Sequence, residues 1–390
     1  MASARRTHYQ LTFAVLAAGV GAFALLQSLV IPVLTTVQQE LHTSQSAATW
    51  VLTAYLLSAS IMTPILGRVG DMKGKERVFV VALAALAAGS LMAALASSIG
   101  VMIVARVIQG AGGGMIPVAF GIIRDEFPAG KVATAVGTIA GLTSVGGGLG
   151  IVLAGPIVDG LGYRWLFWLP LIGTVLAAVG AVLFVPESPV RSPGRISWLP
   201  TVLLSGWLAA LLVALSEASS WGWGSAAVIG LLAAAVLLAL AWVIAELRAA
   251  TPLIDMHMMR RPAIWTNNLV ALLIGMGMYA TFAFLPEFVQ TPASAGYGFG
   301  ASITRSGLML LPSSITMFPV SLCAGMLARR FGGKTLVVAG CLAGSVALAG
   351  SLIPGLRQLR QAASEPRHAE VAVVAEDPVA GLEPRSEGAA

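Results

Sequence analysis

The sequence predicts an all-α membrane protein, a bundle of about eleven transmembrane helices. Three observations predict it. Of 390 residues, 57% are hydrophobic and only 10% are charged. A soluble globular chain carries about 25% charged residues, so the charges here are too few to coat a water-soluble particle of this size. Apolar runs of about 18 residues or more, free of Asp, Glu, Lys and Arg, recur along the chain, and each is long enough to cross a hydrocarbon core as a helix. The basic residues, finally, are segregated into alternate connecting loops.

The spans fall at roughly 11–34, 48–67, 78–97, 101–123, 133–157, 165–185, 199–217, 225–245, 264–289, 306–328 and 335–354. The first follows Arg5 and Arg6. It is longer than a signal-peptide core and has no cleavage site after it, so it reads as a retained span whose start lies in the cytoplasm. Alternation then places Arg68, Lys73, Lys75, Arg77, Arg124, Lys131, Arg191, Arg195, Arg248, Arg260, Arg261, Arg329, Arg330 and Lys334 inside. Only Arg164 and Arg305 fall in outside loops between spans. That asymmetry predicts a multi-pass protein of the cell membrane with a cytoplasmic N-terminus. It also accounts for a net charge of +6 without a nucleic-acid partner.

Trp50, Trp221 and Trp223 sit at predicted outer span ends, where indole rings anchor helices at the interface. The Pro- and Arg-containing connector from Ser188 to Pro200 precedes two spans that separate a first group of six from a later group of three. The organisation read from this is a six-helix half at 1–190, two linker helices at 191–250, a three-helix portion at 251–356 and a polar, disordered tail at 357–390.

Several function classes are excluded. Cys323 and Cys341 lie inside apolar runs and read as buried core residues. His8, His42, His257 and His368 lie outside the spans and show no ligand spacing, so no metal or other cofactor is expected. Gly333-Lys334-Thr335 resembles the end of a phosphate-binding loop, but that motif needs Gly where this chain has Ala328, and a strand before it. The glycines at 110–114 and 146–150 lie in apolar helices rather than in a dinucleotide fold. No Ser/His/Asp or Cys/His set falls within the spans, so no enzyme is expected.

Other residues carry information. Arg106 lies inside the fourth span, where a guanidinium is costly and faces water or a partner. It either tunes a nearby proton or substrate site or serves as a structural hydrogen-bonding group. Glycines four apart, Gly137/Gly141 and Gly146/Gly150, let helices approach closely in lipid. With Gly155 and Pro156 they make the fifth helix either a tight packing surface or a pivot.

The chain repeats itself. Gly67-Arg68-Val69-Gly70-Asp71-Met72-Lys73-Gly74-Lys75 closes the second span, and Gly325-Met326-Leu327-Ala328-Arg329-Arg330-Phe331-Gly332-Gly333-Lys334 closes a later one. Both have Gly, an aliphatic residue two places on, charges, and a second Gly seven places after the first. The first of these segments resembles the signature loop of the major facilitator superfamily. Arg106-Val107-Ile108-Gln109-Gly110 is similar to that superfamily's Arg-x-x-Gln-Gly motif, and Gly146 to Gly150 with Gly155-Pro156 resembles the Gly-Pro motif of its antiporters. Trp50-Val51-Leu52-Thr53-Ala54-Tyr55-Leu56-Leu57 resembles the second span of the fourteen-helix drug/proton antiporter family, which inserts two helices between its halves. The likeness covers about residues 11 to 355.

The resemblance implies a major facilitator-type bundle of 6 + 2 + 3 helices and alternating access around a central site between repeated halves. It further implies export of small amphipathic compounds in exchange for protons. A transporter for a specific metabolite, or an inactive shortened product, are the alternatives. Substrate-cavity candidates are Gln27, Tyr55 and Gln109 from the first half and Asn267, Asn268 and Tyr279 from the second. Arg106 and Glu287 are the charge-relay or proton-coupling candidates, with Glu287 equally readable as an interfacial carboxylate. Gly67, Asp71, Gly74, Lys75, Arg77, Arg329 and Arg330 would form a conformational latch, and Gly150, Gly155 and Pro156 the pivot. Asp159 and Glu217, at outer span ends, read as solvated.

The sequence departs from the family in two places. Leu25-Leu26-Gln27-Ser28-Leu29-Val30-Ile31-Pro32 has no acid where the family carries a proton-binding Asp. The second half has three spans where the family has six, which implies a shortened form lacking the helix on which the Asp71 loop would dock.

Overall fold

A computed structural model describes residues 9–187, 196–292, 294 and 298–346. Regular structure among them is entirely helical. Among the described residues, nine helices are long and apolar enough to cross a membrane: α1 (Tyr9–Glu40), α2 (Gln45–Lys73), α3 (Lys75–Ala94), α4 (Ile99–Glu126), α5 (Ala129–Leu161), α6 (Trp165–Phe184), α7 (Trp198–Trp221), α8 (Ala226–Arg248) and α9 (Pro262–Gln290). The tenth and eleventh expected spans correspond to α10 (Ile303–Phe331) and to α11 (Gly333–Val346). Part of the connector, with Arg191 and Arg195, the end of the eleventh span and the polar tail lie outside the described residues.

Local chemistry sets the helix ends. The Ser44 hydroxyl accepts the Ala47 N–H at 3.2 Å and starts α2. Ser225 does the same for α8 through the Val228 N–H at 3.3 Å. Such caps satisfy one of the four N–H groups that a helix start leaves open. Gly74 stops α2 at φ +111°, a backbone conformation that costs glycine little and other residues much. That turn lets α3 begin at the next residue. α1 and α4 are each interrupted by a short 3-10 turn, at Ile31–Val33 around Pro32 and at Ala111–Gly114 in a run of glycines.

α1 packs against α5 and α6, α2 against α4, and α3 against α4 and α6. Leu16, Val20, Leu26, Leu29, Phe79, Leu83, Leu86, Met102 and Phe167 form their shared core. The outward faces are as apolar as the inward ones: Leu176 and Val182 on α6 are each 68% exposed and Leu237 on α8 is 67%. Such faces suit lipid. α7 and α8 pair as a hairpin and α7 lies on α2.

Two expectations fail here. Cys323 and Cys341 are exposed, not buried. A helix that is apolar all round does not reveal which face meets protein and which meets lipid. Glu217 is buried rather than solvated. Its carboxylate accepts the Trp50 indole N–H at 2.6 Å and the Ser220 hydroxyl at 2.7 Å. Trp50, expected as an interfacial anchor, thus ties α2 to α7. Trp221 and Trp223 are exposed, as anchors should be.

Contacts divide the chain into two units, Met1–Met326 and Leu327–Ala390. In the second, the described residues are the last turn of α10 and α11, with the Arg330 guanidinium 5.4 Å from the centre of the Phe331 ring.

Candidate functional site

The polar groups expected in α2 and α4 meet inside the first six helices. Arg106 and Gln109 stand one turn apart on α4, a spacing that puts both on one helix face. Both are fully buried. The Arg106 Nε–H donates to the Val51 carbonyl oxygen at 3.0 Å, reaching across to α2. Its Nη1 donates to Gln109 Oε1 at 2.8 Å. Gln109 Nε2 donates to the Ser90 hydroxyl on α3 at 3.1 Å, and Ser90 donates on to the Leu86 carbonyl at 2.7 Å. Three helices are thus tied through one chain of hydrogen bonds.

Glycine makes the approach possible. A Cβ on Gly89 of α3 would lie 2.6 Å from Gln109 Cγ and 2.7 Å from the Ala105 oxygen. Any larger residue there would drive α3 from α4.

The face of the Tyr55 ring covers the guanidinium, 4.2 Å from ring centroid to Cζ, and Phe23 of α1 lies 6.2 Å beyond. A guanidinium at the centre of a span costs about 3 kcal/mol by insertion measurements. Two charge-assisted hydrogen bonds at about 1.5–3 kcal/mol each, with a desolvated cation–π contact of about 2 kcal/mol, are enough to hold the charge there. Yet the cluster is not closed. Arg106 Nη2 and the Tyr55 hydroxyl are buried and have no hydrogen-bond partner among the described residues. Tyr279 of α9 stands within electrostatic range of Arg106 and is 38% exposed. Arg106, Tyr55 and Gln109 therefore gather at one place, with two open hydrogen-bonding groups and Tyr279 within electrostatic range.

The other candidates are not gathered there. Gln27 is half-buried on α1, and Asn267 and Asn268 are exposed at the start of α9, with Asn268 Nδ2 3.2 Å from Met259 Sδ. Glu287 is exposed within a turn of the end of α9. Eight residues, about 12 Å of helix, separate it from Tyr279. At the α2–α3 turn, Lys75 Nζ lies 2.6 Å from Asp125 of α4 and 3.6 Å from Asp71. Arg77 pairs with Glu187. Gly67 lines a cavity beside α2. The Arg329 side chain lies outside the described residues.

At the other end, Gly150 backs directly onto Ser28 of α1, and Gly155 onto the Thr304 backbone of α10. Ser28 donates to the Gly146 carbonyl at 3.0 Å. Pro156 is exposed inside α5. Sequence reasoning missed Ser90 and the Trp50–Glu217 pair. A carboxylate inside an apolar run was a signal for Glu217; a serine in an apolar helix gave none for Ser90.

An all-helical membrane bundle with a buried, incompletely satisfied polar cluster defines the class, a multi-pass membrane protein of transporter type. The family model of the Major Facilitator Superfamily matches residues 16–360, and the chain belongs to that family of membrane transporters. It is 29% identical over 341 residues to the tetracenomycin C resistance and export protein of Streptomyces glaucescens, covering 87% of this chain and 62% of that relative. It is 29% identical to the multidrug transporter protein MdtP of Bacillus subtilis, covering 76% of this chain and 54% of the relative. The chain thus spans little more than half the length of these curated relatives. Among solved structures, the xylose transporter XylE from E. coli in a partially occluded inward-open conformation is similar in fold. The TM-score is 0.53 at 14% identity, covering 85% of this chain and 75% of that one. The peptide transporter POT is similar at TM-score 0.52 and 16% identity, covering 83% and 68%.

Proposed function

We propose that this chain carries small amphipathic compounds outward across the cell membrane by alternating access, in exchange for protons. The observation that carries the reading is the Arg106 cluster: a buried cation with an unfilled Nη2 group, covered by the Tyr55 ring and set in an apolar bundle. Sites of this kind, apolar walls with a few placed polar groups, suit amphipathic ligands. The relatives, a tetracenomycin C resistance and export protein and a multidrug transporter, support the direction and the substrate class.

In this reading Tyr55, Gln109 and Tyr279 meet the substrate, with Gln27, Asn267 and Asn268 along its path. Arg106 supplies a fixed positive charge that shifts proton and substrate affinity in the cavity. Glu287 is the proton carrier nearest in sequence to the cavity residues of α9. Gly150, Gly155 and Pro156 form the pivot of α5. The α2–α3 turn, with Gly67, Asp71, Gly74, Lys75 and Arg77, is the latch that holds one conformation, through the Lys75–Asp125 and Arg77–Glu187 pairs, and Arg329 and Arg330 are the latch residues of the matching loop. The halves are the six-helix unit before residue 190 and the helices after residue 250, with α7 and α8 as the linker. In this reading the chain is one of the fourteen-helix drug/proton antiporters.

A second reading has an observation of its own. The apolar face of α9 is uncovered: Leu272, Leu273 and Met276 are 58%, 59% and 62% exposed. That face suits further helices, and in the second reading transport requires them. Dye efflux from energised cells separates the two. The proposed function predicts that the 390-residue chain lowers cell dye and that a protonophore restores it. Efflux only from a chain extended by three further family helices overturns the proposal for this product.

A further inference from the structure

A second polar site lies away from the Arg106 cluster. A cavity of about 670 Å³ opens between the end of α2, Pro117 of α4, and the α7–α8 hairpin with the segment after it. Its walls are mostly apolar, with Leu204 and Trp207 from α7, Trp242 from α8, and Leu253 beyond. Arg68 and Asp71 supply charge.

The two tryptophans face each other with ring centroids 6.0 Å apart, but they differ in one respect. The Trp242 N–H is taken by Glu246 Oε1 at 3.2 Å. Glu246, itself buried, also accepts the Leu253 N–H at 2.9 Å and the Ile254 N–H at 3.4 Å. That carboxylate builds the wall. The Trp207 N–H is buried with no hydrogen-bond partner among the described residues, and so is the Nε–H of Arg68. Both residues line the one cavity, and a buried donor left empty is costly.

We infer that this cavity is a binding site for an anionic phospholipid. Its phosphate would take the Arg68 Nε–H and the Trp207 Nε1–H, and its acyl chain would lie along Leu204, Trp242 and Leu253. Three further observations favour a lipid over an amphipathic anion from the aqueous phase. The cavity's α7 wall continues into an outward apolar surface, with Leu199 65% and Val202 62% exposed, so an acyl chain can enter sideways. The volume suits a headgroup and the first part of its chains. Lys75 and Arg77 are taken by Asp125, Asp71 and Glu187, which leaves Arg68, with no ion pair among the described residues, as the cavity's own cation, and this favours an anionic headgroup. Asp71 does not set a bare negative charge in the cavity, because Lys75 lies 3.6 Å from it.

The test uses the purified full chain in detergent, with bound lipid counted by native mass spectrometry. Phosphatidylglycerol, phosphatidylcholine and laurate are titrated in separate arms. Trp207→Phe keeps the ring and removes the N–H, and Arg68→Gln removes the charge. Wild type is expected to retain one phosphatidylglycerol more tightly than phosphatidylcholine. Each substitution should weaken that retention about tenfold, the scale of one lost charge-assisted hydrogen bond, with the melting midpoint unchanged. Equal retention by wild type and both variants overturns the site. Equal loss of both lipids in W207F assigns Trp207 a structural role and also overturns it. Should laurate bind while phosphatidylglycerol does not, the ligand is a soluble amphipath and the lipid assignment falls. If W207F does not fold, Arg68→Lys and R68Q carry the test alone.

Discussion

At the scale of single residues, the account rests on whether buried polar groups are held by their partners. Gln109 joins Arg106 to Ser90, so Gln109→Leu leaves a guanidinium N–H without its acceptor, while Ser90 keeps its bond to the Leu86 carbonyl. The orphaned donor costs about 1–3 kcal/mol. The expected result is a lower melting midpoint in detergent and loss of dye efflux, measured by tryptophan fluorescence and in cells. Arg106→Lys keeps the charge but not the fork that reaches Val51 and Gln109 together, and should lose most of the efflux as well. Full efflux from R106K would show that charge alone is sufficient.

The Trp50–Glu217 pair calls for a double-mutant cycle. Trp50→Phe and Glu217→Gln should couple by about 1 kcal/mol or more in unfolding free energy; additive effects would show that the 2.6 Å contact holds nothing. Arg106 and Gln109 were legible in the sequence because charge and amide stand out in an apolar run and share a motif. Their partners were not. Ser90 and the Val51 carbonyl are chosen by how α3 and α2 pack on α4, which no local pattern encodes. Glu217 was misplaced for a related reason. Its nearness to a span end suggests solvent, and only the position of α2 reveals a partner.

At the scale of helices, close approach sets the tolerance for change. A Cβ on Gly150 or Gly155 would run into α1 or α10, whereas one on Gly147 meets nothing within 4 Å. Gly155→Ala and Gly150→Ala should each lower the melting midpoint and efflux, and Gly147→Ala should change neither. Equal effects at all three positions would remove the pivot reading. Lys75→Met tests the α2–α3 turn. It removes the Lys75–Asp125 ion pair, whose side chains are only 13% and 11% exposed, and losing one charge-assisted hydrogen bond of this kind costs about 1–3 kcal/mol. A lowered melting midpoint with efflux preserved would make this turn a structural clasp rather than a latch. Helix positions were largely readable from composition, since apolar runs mark spans directly. The 3-10 turns at Pro32 and at the glycines after Gln109 follow from residues visible in the sequence, but whether such residues bend, break or simply pack in a helix depends on neighbours. The exposure of both cysteines was invisible for the same reason, because lipid and protein core accept the same side chains.

At the scale of the whole chain, orientation follows from charge. The distribution of basic residues predicts a cytoplasmic N-terminus. In a background with Cys323 and Cys341 replaced by Ser, a cysteine at Arg164 should react with a membrane-impermeant maleimide on intact cells. One at Arg248 should react only after permeabilisation. The reverse pattern would invert the topology. The family was legible from motifs in the first half, where Arg106, Gln109 and the glycines of α5 fall in register. Substrate was not, because the fold is shared by transporters of different cargo.

The most direct measurement is dye movement in proteoliposomes of the purified chain under an imposed pH gradient, with Arg106→Ala alongside. Proton-coupled exchange predicts dye accumulation in wild-type vesicles that are acidic inside, collapse when the gradient is dissipated, and no accumulation with R106A. Accumulation that ignores the gradient, or none with either protein, would contradict it.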